Sequence, residues 1–126
     1  MLTIFTATNA EYLQGRHFDV RFPEIGLSPN EQINYIEEIV RSQKNLTIAT
    51  FSPYIVNALN IHIVLEELNR HNLKVIACTE LGEFDLVCED EKGNLIVDTY
   101  IFTEPMDLIY NQYTSLTSKV QENTSL

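Results

Sequence analysis

The first half of the chain alternates between β-rich runs and segments with apolar residues at helical spacing. Three runs rich in β-branched and aromatic residues predict strands, at 2–6, 17–22 and 45–51. Apolar spacing predicts one helix from Ser28 to about Gln43, with Glu31 completing a capping box, and a second helix from Ser52-Pro53. Residues 61–70 fit either a strand or a continued helix, and their spacing favours the helix.

The second half predicts strands followed by a helix. Three apolar runs predict further strands, at 73–78, 84–88 and 95–100. The polar segment 89–94 between two of them predicts a turn, and therefore an antiparallel hairpin or meander. A last helix is expected to begin at Thr103-Glu104-Pro105, and we expect disorder at 121–126. Its apolar stripe comprises Met106, Ile109, Tyr110, Tyr113, Leu116 and Val120.

This order of elements predicts the fold class. A strand–helix–strand–helix order over 17–60 implies parallel strands joined by right-handed crossovers. We therefore expect an α/β fold in which a small core of parallel strands is flanked by helices and carries an antiparallel edge. The length of 126 residues suits one domain over 1–126.

The net charge of the chain favours some classes of binding partner over others. The chain has 8 basic and 18 acidic residues, a net charge of −10, which disfavours nucleic acid and anionic membranes. The same charge favours a basic partner, or serves solubility alone. The start of the chain does not resemble a signal peptide, and no run reaches the roughly 20 apolar residues of a membrane span, so we expect a cytoplasmic location.

Candidate chemistry is sparse. Cys78, Cys88 and the three histidines are scattered without metal-ligand spacing, so we expect no metal site and no cofactor. No serine or cysteine lies in a recognisable nucleophile motif.

Two segments carry a family resemblance. Residues 23–32 (PEIGLSPNEQ) and 47–60 (TIATFSPYIVNALN) resemble the end of the Walker B segment and the histidine-switch segment of ABC-type and AAA-like P-loop ATPases. The positions that keep the family pattern are Pro23, Glu24, Gly26, Leu27, Pro29, Gln32, Ser52, Pro53, Leu59 and Asn60. In that class the Walker A, switch and Walker B strands are neighbours, so the resemblance implies that the first three predicted strands are adjacent.

The departures from the family concern its catalytic positions. The resemblance places Arg21 where the family has its Mg²⁺-binding Asp, Phe22 where it has its catalytic Glu, and Phe51 where it has its switch His. None of these side chains performs the replaced task. No complete Walker A motif occurs; residues 2–14 resemble one faintly, with Leu13 in the place of the Lys.

The resemblance therefore implies a degenerate, truncated ATPase domain that is not an enzyme. We expect a non-catalytic module that acts through a protein partner or as a homodimer, or that regulates a full-length ATPase. One alternative is binding of a nucleotide or small ligand without hydrolysis, with Asn9, Glu24 and Ser52 as contacts, although ATP is disfavoured. Another is a small acidic immunity or inhibitor protein. Tyr110 and Tyr113 are expected at the edge of the core, or else in a docking patch with Tyr100 and Phe102.

Overall fold

The computed structural model describes the backbone of residues 1–124 and the side chains of residues 1–120. Seven strands and three α-helices lie in this part of the chain, together with a 3-10 helix at Ala10–Leu13. The strands are β1 (Leu2–Ala7), β2 (Val20–Arg21), β3 (Leu46–Ala49), β4 (Leu73–Thr79), β5 (Gly82–Asp85), β6 (Val87–Glu89) and β7 (Leu95–Val97). The α-helices are α1 (Pro29–Ser42), α2 (Pro53–Val64) and α3 (Tyr100–Thr124).

The strands form a mixed sheet and a separate hairpin. The sheet has the order β2-β3-β1-β4-β5, in which the first four strands are parallel and β5 is antiparallel to β4. Strands β6 and β7 pair antiparallel in a second sheet. The predicted α/β class, the parallel strands and the antiparallel second half are confirmed.

The direction of the chain across the sheet explains where the helices lie. From β2 through β3 to β4 the chain advances in one direction, so right-handed crossovers place α1 and α2 on the same face. The connection from β1 back to β2 runs in the opposite direction and lies on the other face, where Leu13 and Phe18 pack against the sheet. The α-helices that follow β2 and β3 thus cover one face only. That face contains the main core, including Ile4, Ile36, Ile48, Ile55, Leu59 and Val75.

The predicted starts of α1 and α2 are confirmed. The Ser28 hydroxyl accepts from the Glu31 amide at 3.2 Å, and the Glu31 carboxylate accepts from the Ser28 amide at 3.1 Å. Ser52 caps α2 in the same way through the Ile55 amide at 3.2 Å, and Pro53 opens that helix.

The strand predicted at 17–22 is wrong in length. Only Val20 and Arg21 pair with β3, although the amides of Asp19 and Phe22 also donate to β3 carbonyls. Phe22 has a left-handed backbone with φ of +51°, which turns the chain away from the sheet and ends the strand.

The strands predicted at 84–88 and 95–100 are also too long. Leu86 separates β5 from β6: its amide still donates to the carbonyl of Val75 in β4, whereas the next amide, that of Val87, donates to the Asp85 carboxylate at 2.9 Å. Strand β7 ends at Val97, because the Asp98 carboxylate accepts from the Tyr100 amide at 2.9 Å and begins α3.

The predicted continuation of the second helix over 61–70 is wrong beyond Val64. Glu66 is left-handed with φ of +61°, which ends the helix. The side-chain oxygens of Asn69 and Asn72 then accept from amides within 69–71 and hold a turn.

Helix α3 differs from its prediction in start and surroundings. It begins at Tyr100, so Pro105 lies inside it. Tyr110 and Tyr113 are 68% and 66% exposed, so the expected place at the core edge is wrong. The disorder expected at 121–126 is wrong for the backbone of 121–124, which is helical, while 125–126 lie outside the described residues.

Candidate functional site

The carboxyl ends of the parallel strands are where α/β sheets form their sites. Here β1, β2 and β3 end side by side, and the residues that follow them are those singled out by the resemblance. We call this region the carboxyl edge and define it by residues 7–9, 21–24 and 50–53.

Glu24 connects the segment after β2 to the end of β3. Its Oε1 accepts from the hydroxyl of the buried Thr50 at 2.7 Å, and its Oε2 accepts from the Phe51 amide at 2.9 Å. The Thr50 hydroxyl in turn accepts from the Ser52 amide at 3.0 Å. Both carboxylate oxygens of Glu24 are therefore engaged within the chain, and hydrogen bonds to a charged acceptor are the stronger kind.

Ser52 and Gln32 connect the starts of the two helices. The buried Ser52 hydroxyl donates to Gln32 Oε1 while it caps α2. Gln32 Nε2 donates to the Leu27 carbonyl at 3.0 Å, so both ends of this amide are bonded. Glu24, Gln32 and Ser52, three of the residues singled out by the resemblance, thus all hold neighbouring segments together.

Arg21, Phe22 and Phe51, the residues that the resemblance sets at catalytic positions, make aromatic and cation–π contacts. The rings of Phe22 and Phe51 are stacked, with centroids 5.0 Å apart and planes 8° apart. The Arg21 guanidinium lies over the ring of Phe18 at 5.6 Å and donates to the Arg16 carbonyl at 2.9 Å. These three side chains therefore engage one another or neighbouring groups of the chain.

The segment after β1 is folded onto the sheet. Leu13 is buried against the face that also contains Phe18 and Cys78. The Thr8 amide donates to the Cys78 carbonyl at 3.3 Å, and the Tyr12 amide donates to the carbonyl of Asn9 at 3.2 Å. These amides are therefore not directed at a phosphate.

The structure brings together two of the three predicted contact residues. Glu24 and Ser52 line one depression of about 250 Å³ with Gln32, Phe51, Pro53 and Tyr54. Asn9 does not line it; this residue lies exposed before the 3-10 helix and makes no side-chain capping bond. The polar atoms of Glu24 and Ser52 are engaged, so the depression presents mainly the rings of Phe51 and Tyr54.

One polar atom near this edge has no partner. The Thr6 side chain in β1 is fully buried on the strand face shared with Leu2 and Ile4, and its hydroxyl makes no hydrogen bond. A buried hydroxyl without a partner destabilises a fold, and sequence reasoning gave no signal for it.

The charges beside the edge are paired as well. The Arg16 guanidinium donates to the Glu83 carboxylate, which raises the pKa of Arg16 because the bond stabilises the charged form. Arg16 also lies over the ring of Phe5 at 5.3 Å. Among the described residues, no cluster of three His, Cys, Asp or Glu side chains could hold a metal.

A second surface lies away from the edge, along α3. From Thr103 to Val120 every side chain except that of Thr117 is exposed. A groove of about 420 Å³ lies between α2 and the start of this helix, and its lining is mainly apolar. It is lined by Ile33, Pro53, Tyr54, Asn57, Ala58, Asn60, Ile61, Thr99, Phe102 and Thr103. None of the helices in the described part of the chain is long and apolar enough to cross a membrane.

Comparisons with models of protein families, with curated proteins and with solved structures each gave no match. The function proposed for this chain therefore rests on its own contacts.

Sequence reasoning missed two features of these surfaces. Thr50 was not singled out, although its hydroxyl joins Glu24 to the Ser52 amide. The exposure of most of α3 was also missed, since the one exposed patch considered there was the alternative of Tyr110 and Tyr113 with Tyr100 and Phe102.

Proposed function

We propose that this chain is a non-catalytic module that resembles a degenerate P-loop ATPase domain and acts through protein contact. The observation that carries the proposal is the stack of Phe22 on Phe51. By the resemblance these are the catalytic Glu and switch His positions, which both face the terminal phosphate of the nucleotide. Two rings in contact leave neither a base nor a phosphate sensor there.

The order of strands supports the resemblance. The strands that correspond to Walker B, the switch and Walker A lie side by side as β2, β3 and β1. This is the order that the ATPase class has, and it is consistent with loss of the middle of the chain. The match supports the proposed origin and carries no argument for activity.

The contacts of the retained residues support the absence of a nucleotide site. Glu24 and Ser52 bond to Thr50, Phe51, Gln32 and the start of α2, so a ligand would have to displace these bonds. Leu13 is buried where a phosphate-binding Lys would be needed. A net charge of −10 further opposes a polyphosphate.

Contact with another protein is supported by α3. Its side chains are exposed over most of its length, and they include Met106, Ile109 and Leu116 at 65%, 58% and 62%. Contiguous exposed apolar surface of this kind marks an interaction site. The groove at the start of α3 extends this surface towards α2.

Thermal unfolding with Mg²⁺ and ATP or ADP, confirmed by calorimetric titration, tests the non-catalytic part. A complex with a Kd of about 100 μM, at about 1 mM ligand, would stabilise the fold by about 1.4 kcal/mol. That corresponds to a rise in Tm of several degrees. We expect no shift and no heat of binding. A Mg²⁺-dependent shift would contradict the proposal and would mean that residues 8–14 rearrange around phosphate.

A further inference from the structure

We propose that α3 pairs with α3 of a second copy of this chain as a two-stranded coiled coil. The inference rests on the proposed function, because it names the partner of the interaction surface. It does not depend on the carboxyl edge.

The spacing of the stripe is that of a coiled coil. Met106, Ile109, Tyr113, Leu116 and Val120 follow one another at alternating intervals of three and four residues. This is an apolar repeat of 3.5 residues, which keeps one seam of a helix directed at a neighbouring helix. Met106, Tyr113 and Val120 take the a positions, while Ile109 and Leu116 take the d positions.

The helix needs a partner to account for its length. Residues 103–120 contain no alanine, and they include Thr103, Thr114, Thr117, Ser115 and Ser118, which are weak helix formers. An isolated helix of such composition is marginal in water, and most helical stability in proteins comes from packing of an apolar face. Among the described residues of α3, Ile101 and Phe102 at its start pack against the hydrophobic core.

The apolar area exposed on α3 is close to the area that specific dimers bury in their interfaces. The five stripe side chains and the neighbouring Tyr110 are 58–68% exposed. Side chains of this size offer on the order of 100 Å² each, so pairing would bury roughly 600 Å² per copy and roughly 1,200 Å² in total. This is near the lower limit of specific interfaces, so we expect a reversible dimer.

The distribution of charge favours a copy of the same helix over a basic partner. Positions e and g flank the seam of a coiled coil, and here they are Thr103, Pro105, Tyr110, Gln112, Thr117 and Lys119. None is acidic, so two copies meet without repulsion between carboxylates. A basic helix would find no acidic flank to pair with.

The acidic residues of this part of α3 lie outside the seam. Glu104 and Asp107 take the f and b positions, which face solvent in a coiled coil. The strongly acidic chain thus has a nearly uncharged strip along its exposed apolar stripe. The single lysine of the strip, Lys119, also makes it a poor ligand for anionic lipid.

Sedimentation velocity and equilibrium over about 1–200 μM chain test the proposal. We expect a reversible monomer–dimer equilibrium within this range. Leu116→Ser removes a d side chain that is 62% exposed, and should weaken dimerisation at least about tenfold. Leu108→Ser is the matched control, because Leu108 is 60% exposed but lies at a c position off the seam, and it should change the dissociation constant by less than about twofold.

A variant that dimerises more tightly separates the effect of a seam side chain from the effect of misfolding. Tyr113→Val places a β-branched side chain, the kind that two-stranded coiled coils prefer at a positions, at the centre of the seam and should tighten the dimer several-fold. Misfolding does not produce that result. Circular dichroism should show the globular part unchanged in all three variants.

Four results would overturn the proposal. They are a monomer throughout the concentration range, equal weakening by Leu116→Ser and Leu108→Ser, a trimer, and a monomer that binds neutral or anionic phospholipid vesicles through α3. None of these results bears on whether the module is non-catalytic, which the nucleotide titration tests separately.

Discussion

The side chains of the carboxyl edge contact other residues of the chain, whereas those of α3 are exposed to solvent. At the edge, Glu24 and Ser52 bond to other residues of the chain, and the rings of Phe22 and Phe51 cover each other. Along α3, large apolar side chains face outward from Thr103 to Val120. The residues singled out by the resemblance therefore support the fold, while the surface that we propose for recognition lies on α3.

The largest effect on stability is expected from Glu24→Ala. It removes the acceptor of both the Thr50 hydroxyl and the Phe51 amide. Because Glu24 is half-buried, we expect a loss of about 2 kcal/mol in the free energy of unfolding, measured by urea denaturation.

The matched control for Glu24 is Glu24→Gln. Its amide oxygen can still accept one of the two bonds, so we expect about half of the loss. If Glu24→Ala left stability unchanged, Glu24 would not hold the edge together, and a role in binding would become the better hypothesis.

The next effect concerns the stacked rings. A double-mutant cycle of Phe22→Leu and Phe51→Leu keeps apolar side chains but removes the stack. We expect a coupling of about 1 kcal/mol in the free energy of unfolding, as for other aromatic pairs. Additive losses would show that the two rings do not stabilise each other. Neither variant should alter the dimer, because neither residue lies on α3.

A stabilising substitution is expected at Thr6. Thr6→Val replaces a buried hydroxyl without a hydrogen bond by a methyl group, and should raise the free energy of unfolding by about 1 kcal/mol.

Thr3→Val is the control for Thr6, because Thr3 lies on the opposite face of the same strand and is half-buried. Its effect should stay within about 0.5 kcal/mol. A loss of stability in Thr6→Val would mean that the hydroxyl has a partner, such as an internal water, close to the edge.

The smallest effect is a dependence on pH at the start of α1. The bonds from Ser28 to the Glu31 carboxylate lower the pKa of Glu31 in the folded state. Its contribution to stability is therefore complete above the unfolded pKa and is lost as pH falls through the folded pKa.

Glu31→Gln keeps a capping partner for Ser28 but does not titrate. The stability of the native chain relative to this variant should fall as the pH is lowered below about 4.5 in urea-denaturation series. A difference that stays constant across the acid range would contradict the assigned cause.

The sequence predicted those parts of the fold that depend on neighbours along the chain. Ser28 and Ser52 followed by proline place both helix starts, and right-handed crossovers predict parallel strands. The ends of elements were predicted less well. They depend on Phe22 and Glu66, which have left-handed backbones although neither residue type favours that conformation.

The site was predicted in its residues but not in their roles. Glu24 and Ser52 lie together as candidates, but the hydroxyl of Thr50 that engages Glu24 leaves no pattern in the sequence. Similarly, the stripe on α3 has the same spacing whether it packs on its own core or on another chain, so its exposure could not be read from the spacing.

The most direct test of this difference between the carboxyl edge and α3 is a dilution series of the ¹⁵N-labelled chain, monitored by its amide chemical shifts. We predict concentration-dependent shifts or broadening of amides between Thr103 and Val120, and none at residues 22–24 and 50–53. Concentration-dependent shifts at the carboxyl edge, with α3 unchanged, would contradict the account, because recognition would then take place at the edge that its own contacts close.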